Sequence, residues 1–138
     1  MFRYRKNLFK YRQHLDLTSC PFCAPLDESD IVKTTAHFYV MKNKYPYDIW
    51  EMRNVVDHLL VTPKRHVKSL AELTKPEQQE LMSLLAGYQA KDYNVYARAD
   101  GSKQLTVPNH QHSHLIKTSH KQGIFSLILK KPYLLIKL

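Results

Sequence analysis

The sequence predicts an α+β fold, in which short strands form an antiparallel sheet and one long helix packs against it. Apolar segments of strand length recur at 31–41, 55–62 and 93–99, and again after residue 109. One segment, between residues 75 and 91, instead repeats its apolar residues with the 3.6-residue period of a helix. Because loops rather than crossover helices join most of the strands, antiparallel pairing is favoured over a parallel α/β sheet.

The helix has a well-marked start, and we expect it to run from Lys75 to about Lys91. Thr74 and Glu77 have the spacing of a capping box, and Pro76 lies in the first turn, where its missing N–H is tolerated. The apolar side chains of the expected buried face are Leu81, Leu84, Leu85 and Tyr88.

The strands are predicted from alternation and from the turn residues that end them. The strand at 55–62 is closed by Pro63, the segment KNKYPYD is turn-like, and the C-terminal run IFSLILKKPYLLIKL supplies one or two more strands. The strand predicted at 31–41 has these residues on one side: Val32, Ala36, Phe38 and Val40.

At 138 residues the chain is expected to form one domain, residues 18–138, preceded by a basic extension over residues 1–17. The net charge of +9 favours an anionic partner, such as nucleotide phosphates, RNA or an acidic surface. No apolar stretch approaches the roughly 20 residues that span a bilayer, and the run MFRYRKNLFKYRQHL lacks the apolar core of a secretory signal. We therefore expect a cytoplasmic protein with no membrane partner.

The two cysteines of the chain, Cys20 and Cys23, are separated by two residues in the segment CPFC. Such a pair in a cytosolic protein usually binds a metal or performs redox chemistry. A redox pair is expected to open a helix in a thioredoxin-like unit, whereas here Pro25 and an acidic run follow and predict a loop. The metal interpretation is therefore favoured.

Three histidines, His110, His112 and His114, alternate in the run NHQHSHLIK. In an extended strand such positions project from one face, and Leu115 and Ile116 then carry the strand into the core. Imidazole can act as a nucleophile, a proton carrier or a metal ligand near neutral pH. We expect a reaction centre or a metal site here.

Four segments, CPFC, NKYPY, DHLLVTPKRH and HQHSHLI, resemble in their order and spacing the histidine triad (HIT) family of nucleotide hydrolases and transferases. The resemblance covers roughly residues 18 to 117. It implies a five-stranded antiparallel sheet with one long helix and short helices, usually as a symmetric homodimer.

The resemblance also implies roles for individual residues. His112, at the middle position of the triad, matches the nucleophile that attacks the α-phosphate of a nucleotide, and His114 would hydrogen-bond the phosphate or the leaving oxygen. His58 matches a position beside the phosphate, and Asn43 matches the position that reaches the ribose hydroxyls. Each has a plain structural alternative, for His58 a core histidine and for Asn43 a turn residue.

Zinc-bearing relatives imply a four-ligand site made of Cys20, Cys23, His66 and His110. Such a Cys₂His₂ set leaves no open position, so the zinc would be structural and would tie the N-terminal loop to the sheet. His37 is a rival ligand or a surface strand residue.

Three departures from the family pattern concern the substrate. Gln111 and Ser113 stand where apolar residues are usual, which predicts a wetter strand face or polar partners. The Gly-Gln-Ser/Thr phosphate element is replaced by GSKQLTVPNH, in which Gln104 and Thr106 are the candidate substrate-binding residues. The insertion DIWEMRNVV at 48–56 brings Trp50, which could cover the base pocket or simply pack.

The leading hypothesis is an enzyme acting on a dinucleoside polyphosphate or an adenosine phosphoramidate. Two alternatives are a nucleotide-binding sensor with little turnover and a zinc-stabilised nucleic-acid-binding module. For the latter, the gap from Cys23 to His66 is far longer than the roughly 12 residues of a zinc finger. A catalytic metal held by the three triad histidines is a further possibility.

Overall fold

The computed structural model describes Arg3, residues 19–99, Val107 and residues 110–122, together with the backbone of 124–127 and 134–137. The helix α1 is Lys75–Gln89, and two short 3₁₀ turns are Glu28–Asp30 and Leu70–Glu72. The strands are β1 (Ile31–Thr34), β2 (Phe38–Lys42), β3 (Ile49–Trp50), β4 (Arg53–Pro63), β5 (Tyr93–Ala97), β6 (Ser113–Gln122), β7 (Ile124–Leu127) and β8 (Leu134–Lys137).

Five strands form an antiparallel path in the order β1-β2-β4-β6-β5, and β3 adds to β4 as a short sixth member. β7 and β8 pair only with each other among the described strands. The predicted α+β fold, with one long helix and a mainly five-stranded antiparallel sheet, is confirmed. The C-terminal run supplies two strands, the upper of the two numbers expected.

The helix begins where the sequence predicts. The side chain of Glu77 accepts hydrogen bonds from the backbone N–H and the hydroxyl of Thr74, at 2.7 and 2.9 Å. This capping box provides partners for donors that a helix start otherwise leaves unsatisfied. Leu81 and Leu84 then pack against the sheet in one buried cluster, whose other buried members are Phe38, Val40, Leu59, Val61, Val67, Leu73 and Leu115.

The single strand predicted at 31–41 is wrong, because residues 35–37 form a turn between β1 and β2. The backbone N–H of Thr35 donates to the carbonyl of Phe38, and the Thr35 hydroxyl accepts from the N–H of Phe38. The Thr35 side chain thus offers the backbone a hydrogen bond that competes with continued strand pairing. An alternating pattern of apolar residues does not reveal this competition. Ala36 consequently lies in the turn rather than on a strand face.

The triad does not lie wholly within a strand, contrary to the sequence expectation. β6 begins at Ser113, which pairs with Val61 of β4 and Ala97 of β5, so His110 and His112 precede the ladder. The N–H of Gln111 donates instead to the carbonyl of Val67, at 2.7 Å. The chain before β6 therefore contacts the loop after β4 rather than a neighbouring strand.

The insertion at 48–56 forms a hairpin between β3 and β4. Its two turn residues, Glu51 and Met52, have φ of 48° and 63°. Two central residues with positive φ match the twist of the flanking strands, although side chains other than Gly and Asn adopt this region at a cost. No helix among the described residues is long and apolar enough to cross a membrane.

Candidate active site and metal centre

Four imidazoles are buried together near the start of β6. His58, His110, His112 and His114 expose between 2 and 7% of their surface. The register brings two of them together, because His58 pairs with Ile116 and Leu60 pairs with His114. His58 and His114 are therefore diagonal neighbours on one sheet face. A buried imidazole is stable only if its nitrogens find partners, so those partners define the protonation pattern.

A chain of hydrogen bonds runs from Tyr47 through His58 to His114. The backbone N–H of Tyr47 donates to Nδ1 of His58 at 3.0 Å, so the proton of a neutral His58 ring is on Nε2. Nε2 of His58 lies 2.9 Å from Nδ1 of His114 and donates to it. His114 in turn carries its proton on Nε2, which is buried and has no hydrogen-bond partner among the described residues. The chain ends on an N–H donor able to bind a ligand.

His112 has the opposite arrangement. Its Nδ1 lies 3.0 Å from the carbonyl oxygen of His110, and a carbonyl only accepts, so Nδ1 carries the proton. The lone pair of the neutral ring is consequently on Nε2. The rings of His112 and His114 are 5.1 Å apart between centroids. A lone pair and an N–H donor thus belong to adjacent imidazoles.

Burial keeps these rings neutral near pH 7. It is the largest cause that lowers the pKa of His58, of His112 and of His114 below the ordinary value of 6.5. Nearby positive charge lowers the pKa further: Arg3 acts on His58, and both Arg3 and Arg98 act on His114. A neutral ring retains the lone pair that nucleophilic attack requires.

Asn43 lies against His58, with its amide nitrogen 3.1 Å from Nε2. Its amide oxygen accepts the backbone N–H of Tyr45 at 2.9 Å, which orients the side chain within the NKYPY turn. The structure therefore brings Asn43 to the histidine cluster. The other two substrate-binding candidates, Gln104 and Thr106, lie outside the described residues.

The polar residues between the triad histidines are covered rather than wet. Gln111 is 7% exposed and Ser113 is 2% exposed. The hydroxyl of the fully buried Thr62 lies 3.4 Å from the backbone carbonyl of Gln111, and the Gln111 side chain turns back toward the carbonyl of His112 at the same distance. The expected solvent exposure of this face is therefore wrong, and the expected polar partners are present for Gln111.

The Cys/His cluster forms beside the triad, and its four ligand atoms lie within 4.8 Å of one another. Nδ1 of His110 lies 3.2 Å from the sulfur of Cys20, and Nδ1 of His66 lies 3.1 Å from that of Cys23. Neighbouring ligands of tetrahedral zinc are separated by about 3.3 to 3.8 Å, given bond lengths of about 2.0 to 2.3 Å. The cluster could therefore hold a metal ion with little rearrangement.

The surroundings of the cluster fit a metal ligand set. Nε2 of His110 donates to the carbonyl of Pro63 at 3.0 Å, which leaves the Nδ1 lone pair directed at the cysteines. The backbone N–H of Cys23 donates to the carbonyl of Cys20, and this tight turn presents both sulfurs to the histidines. Burial and the neighbouring Cys20 thiol raise the pKa of Cys23, so metal binding at this thiol must displace its proton.

The metal cluster is separate from the hydrogen-bonded histidine pair His58 and His114. Among the described residues, His110 is the one triad member in the cluster, so the alternative of a metal held by all three triad histidines has no geometric support. His37 also lies outside the cluster found among the described residues. It lies in the β1–β2 turn and pairs with Glu80 of α1, at 2.5 Å.

Sequence reasoning missed several residues that shape the site. Phe22, between the two cysteines, has its ring 5.4 Å from that of His110 and 5.3 Å from that of His112, so it joins the two sites. Tyr47 contacts His58 and His114 with ring separations of 4.7 and 5.6 Å. Phe22 belongs to the segment CPFC and Tyr47 to the segment NKYPY. Their aromatic side chains, within segments that resemble the family, could have indicated a role at the site. Two arginines, Arg3 and Arg98, also lie here; the basic character of the N-terminal extension was the signal for Arg3, and Arg98 had none.

The insertion places Trp50 beside this cluster. Its ring lies 6.1 Å from that of Tyr47 and 5.2 Å from that of Tyr96. Tyr96 pairs with His114 across β5 and β6, and their rings are 5.8 Å apart. The hairpin thus adds Trp50 to the aromatic side chains of Tyr47 and Tyr96, which contact His114.

The fold and the site together define an α+β protein with a buried histidine relay and an adjoining Cys₂His₂ cluster. Comparison with solved structures identifies the fold as that of the histidine triad proteins. A HIT family hydrolase from Clostridium thermocellum matches with a TM-score of 0.54 and 20% identity, over 75% of this chain and 94% of that one. A HIT family hydrolase from Legionella pneumophila matches with a TM-score of 0.52 and 19% identity, over 76% and 96%.

A third structure, a hypothetical protein from Leishmania major, matches with a TM-score of 0.56 and 26% identity, over 87% of this chain and 84% of that one. No family model and no curated protein matches the sequence. The likeness is therefore one of fold, and activity has to be argued from the site.

Proposed function

We propose that this protein is a nucleotide hydrolase or nucleotidyl transferase. It acts at the α-phosphate of a purine nucleotide, either a dinucleoside polyphosphate or an adenosine phosphoramidate, through a covalent nucleotidyl-histidine. The observation that carries the proposal is the hydrogen bond from Nδ1 of His112 to the carbonyl of His110, which leaves the Nε2 lone pair available for attack. The fold shared with HIT family hydrolases supports the same reaction class.

In the first step, Nε2 of His112 forms a bond to the α-phosphorus and the bond to the leaving oxygen or nitrogen breaks, with its electron pair departing on the leaving group. The ring then carries positive charge, which the carbonyl of His110 stabilises by accepting the Nδ1–H. In the second step, water or another acceptor displaces the histidine, releasing the nucleotide and regenerating neutral His112.

The role proposed for His114 is to donate its Nε2–H to a phosphate or leaving-group oxygen as negative charge develops there. His58 keeps that proton on Nε2 by donating to Nδ1 of the same ring. Asn43, beside His58, is proposed to bind the ribose hydroxyls, since an amide both donates and accepts.

The test is AMP release by the purified protein from a dinucleoside polyphosphate and from an adenosine phosphoramidate. His112→Ala should abolish turnover, with a loss of at least about 10³-fold in kcat. Brief quenching of the wild-type reaction should trap nucleotide on the protein, and the variant should trap none. His120→Ala is the matched control, since His120 is an exposed histidine of β6 outside the site.

Full activity of the His112→Ala variant would show that His112 is not the nucleophile. Tight nucleotide binding without turnover by the wild-type protein would favour the sensor alternative instead. Binding of RNA, unaffected by nucleotide, would favour the nucleic-acid-binding module.

We also propose that the metal of the Cys20, Cys23, His66 and His110 cluster is zinc. Two thiols and two imidazoles form the donor set that zinc prefers, and four protein ligands leave no position for substrate or water. Bound zinc would supply a cross-link between the N-terminal loop and the sheet. Through Phe22, which contacts both His110 and His112, that cross-link would also steady the nucleophile.

Elemental analysis of protein purified without chelators should find about one zinc per chain. Cys20→Ser with Cys23→Ser should remove the metal and lower the free energy of unfolding by about 3 kcal/mol or more, because the folded state loses a tight ligand. Ser19→Ala and Ser29→Ala, which border the loop without belonging to the cluster, should retain the zinc. Metal-free wild-type protein of unchanged stability would contradict the proposal.

A homodimer is the proposed assembly, as in the family that the sequence resembles. Two apolar side chains are exposed on contacting elements: Val95 on the outermost strand β5, 39% exposed, and Met82 on α1, 66% exposed. Light scattering should give twice the 16.3 kDa chain mass, and Val95→Lys should reduce it to the monomer value.

A further inference from the structure

Two arginines from distant parts of the chain contact Tyr47, the residue whose ring contacts His58 and His114. Nε and Nη2 of Arg3 both donate to the carbonyl of Tyr45, at 3.2 and 2.9 Å, which anchors one side of the guanidinium. Its central carbon lies 4.6 Å from the centroid of the Tyr47 ring. The N-terminal arginine is thus packed on the face of a site residue.

Arg98, which follows β5, approaches the same tyrosine from its polar end. Nη2 of Arg98 donates to the Tyr47 hydroxyl at 3.0 Å, and its guanidinium lies 5.6 Å from the ring centroid of Tyr96. Tyr96 is itself the cross-strand partner of His114. Two positive charges are therefore held by aromatic side chains that contact the histidine pair.

The histidine pair that these aromatic residues contact also carries the N–H donor that the proposed function assigns to the substrate. His114 is 95% buried, and its Nε2 has no hydrogen-bond partner among the described residues. A buried N–H without a partner costs about 1 to 3 kcal/mol, so such groups usually mark a ligand site. The indole nitrogen of Trp50 is also buried and has no hydrogen-bond partner in the described part of the chain. The Trp50 ring stacks on Tyr47.

The electrostatic setting favours an anion as that ligand. Both arginines lower the pKa of His114, which means that their positive charges reach the ring. The histidines are neutral and so add no charge of their own. Guanidinium groups bind phosphate oxygens through paired, charge-assisted hydrogen bonds, which neutral imidazoles cannot match.

We propose that Arg3 and Arg98 form a two-arginine clamp that binds the substrate phosphates beyond the one attacked by His112. The proposal rests on the function proposed above and narrows it to substrates with an anionic polyphosphate leaving group. A dinucleoside polyphosphate places further phosphates within reach of the clamp, whereas a phosphoramidate releases an amine, which offers the arginines no oxygen anion. Arg3, from the basic N-terminal extension, accordingly contributes to specificity.

The first arm of the test measures binding without turnover, with inorganic triphosphate as the probe in calorimetry at low salt. Arg3→Ala and Arg98→Ala should each weaken binding about tenfold, because each removes one charge-assisted contact. Lys33→Ala removes the same charge from the exposed strand β1, at the edge of the sheet opposite β5, and should change binding less than about twofold. Arg98→Lys keeps the charge and serves if the alanine variant does not fold.

The second arm compares kcat/KM for a dinucleoside polyphosphate and for an adenosine phosphoramidate. Each arginine variant should lose about tenfold on the polyphosphate and less than about threefold on the phosphoramidate. Equal losses on both substrates, or variants indistinguishable from Lys33→Ala, would overturn the clamp. An increase in activity for Arg3→Ala would overturn it too, since Arg3 would then obstruct the site.

The two proposals fail in different ways. A wild-type protein that hydrolyses neither substrate contradicts the proposed function, while arginine-dependent triphosphate binding in the same preparation still supports the clamp. Active wild-type protein whose triphosphate affinity is independent of both arginines contradicts the clamp alone.

Discussion

The three histidines of the triad differ in what holds each ring. Nε2 of His110 donates to the Pro63 carbonyl, Nδ1 of His112 donates to the His110 carbonyl, and Nδ1 of His114 accepts from His58. These partners direct one lone pair at the cysteines, expose another on Nε2 of His112, and leave an N–H donor on His114. Identical side chains thus acquire different chemistry from their hydrogen bonds.

At this scale the relay makes a prediction about His58. His58→Phe should lower kcat by about tenfold with little change in KM, since Nδ1 of His114 loses its donor and its proton is no longer held on Nε2. His58→Gln, whose amide can still donate, should recover part of the loss. Steady-state kinetics of the three proteins checks this.

A purely structural role for His58 would appear differently. Both variants would then lose activity in proportion to their loss of folded protein, as measured by circular dichroism, and the glutamine variant would show no selective recovery of kcat.

At the scale of elements, the loop between β4 and α1 joins the helix to the metal cluster. It carries His66, and Arg65 beside it donates to both carboxylate oxygens of Glu77, at 3.1 and 2.8 Å. The same carboxylate closes the capping box with Thr74. The hydrogen bonds with Arg65 are the first cause that lowers the pKa of Glu77 to about 2. One buried carboxylate thus positions both the helix start and a metal ligand.

Glu77→Gln should therefore lower the free energy of unfolding by about 1 to 3 kcal/mol, because the amide cannot accept all four hydrogen bonds. It should also weaken zinc binding, as His66 loses its support. Chemical denaturation and a chelator competition measure the two effects. Thr74→Ser keeps the capping hydroxyl and should leave both the free energy of unfolding and the zinc affinity close to wild type. An unchanged zinc affinity in Glu77→Gln would show that the helix cap does not support the metal site.

At the scale of the whole molecule, buried neutral histidines couple stability to pH. Burial first, and the charge of Arg3 second, lower the pKa of His58 from 6.5 to about 4, and the pKa of His114 moves in the same direction. Below pH 6.5 the unfolded chain therefore binds protons that the folded protein does not. This part of the stability is fully present above pH 6.5 and is lost as the pH falls toward the folded values.

The melting temperature should accordingly fall by roughly 5 to 10 °C between pH 7.5 and about 5. The double variant His58→Gln/His114→Gln should have a shallower dependence over the same range, while the exposed-site control His120→Ala should keep the wild-type dependence. Parallel curves for the double variant and the wild type would show that other groups, including the metal ligands, account for the acid sensitivity.

Local patterns were sufficient for the elements that depend on local physics. The capping box and the leucine period predicted α1, and the run from His114 through Leu115 and Ile116 predicted part of β6, although that strand begins only at Ser113. The four ligand candidates and His58, His112, His114 and Asn43 were predicted because their segments resemble a known family, and the structure brings them together in two neighbouring clusters. Gln104 and Thr106 remain predictions.

Contacts between distant segments decided the rest. The start of β6 at Ser113 depends on where β4 and β5 end, and the proton positions depend on the carbonyls of Pro63 and His110, which the residue types alone do not encode. Arg3 lies 42 residues from the carbonyl that it contacts, so no spacing rule could associate it with the site. The sequence determines which chemical groups are present. Their orientation, their burial and the charges that surround them depend on the tertiary structure, because only folding brings remote groups within a few ångströms.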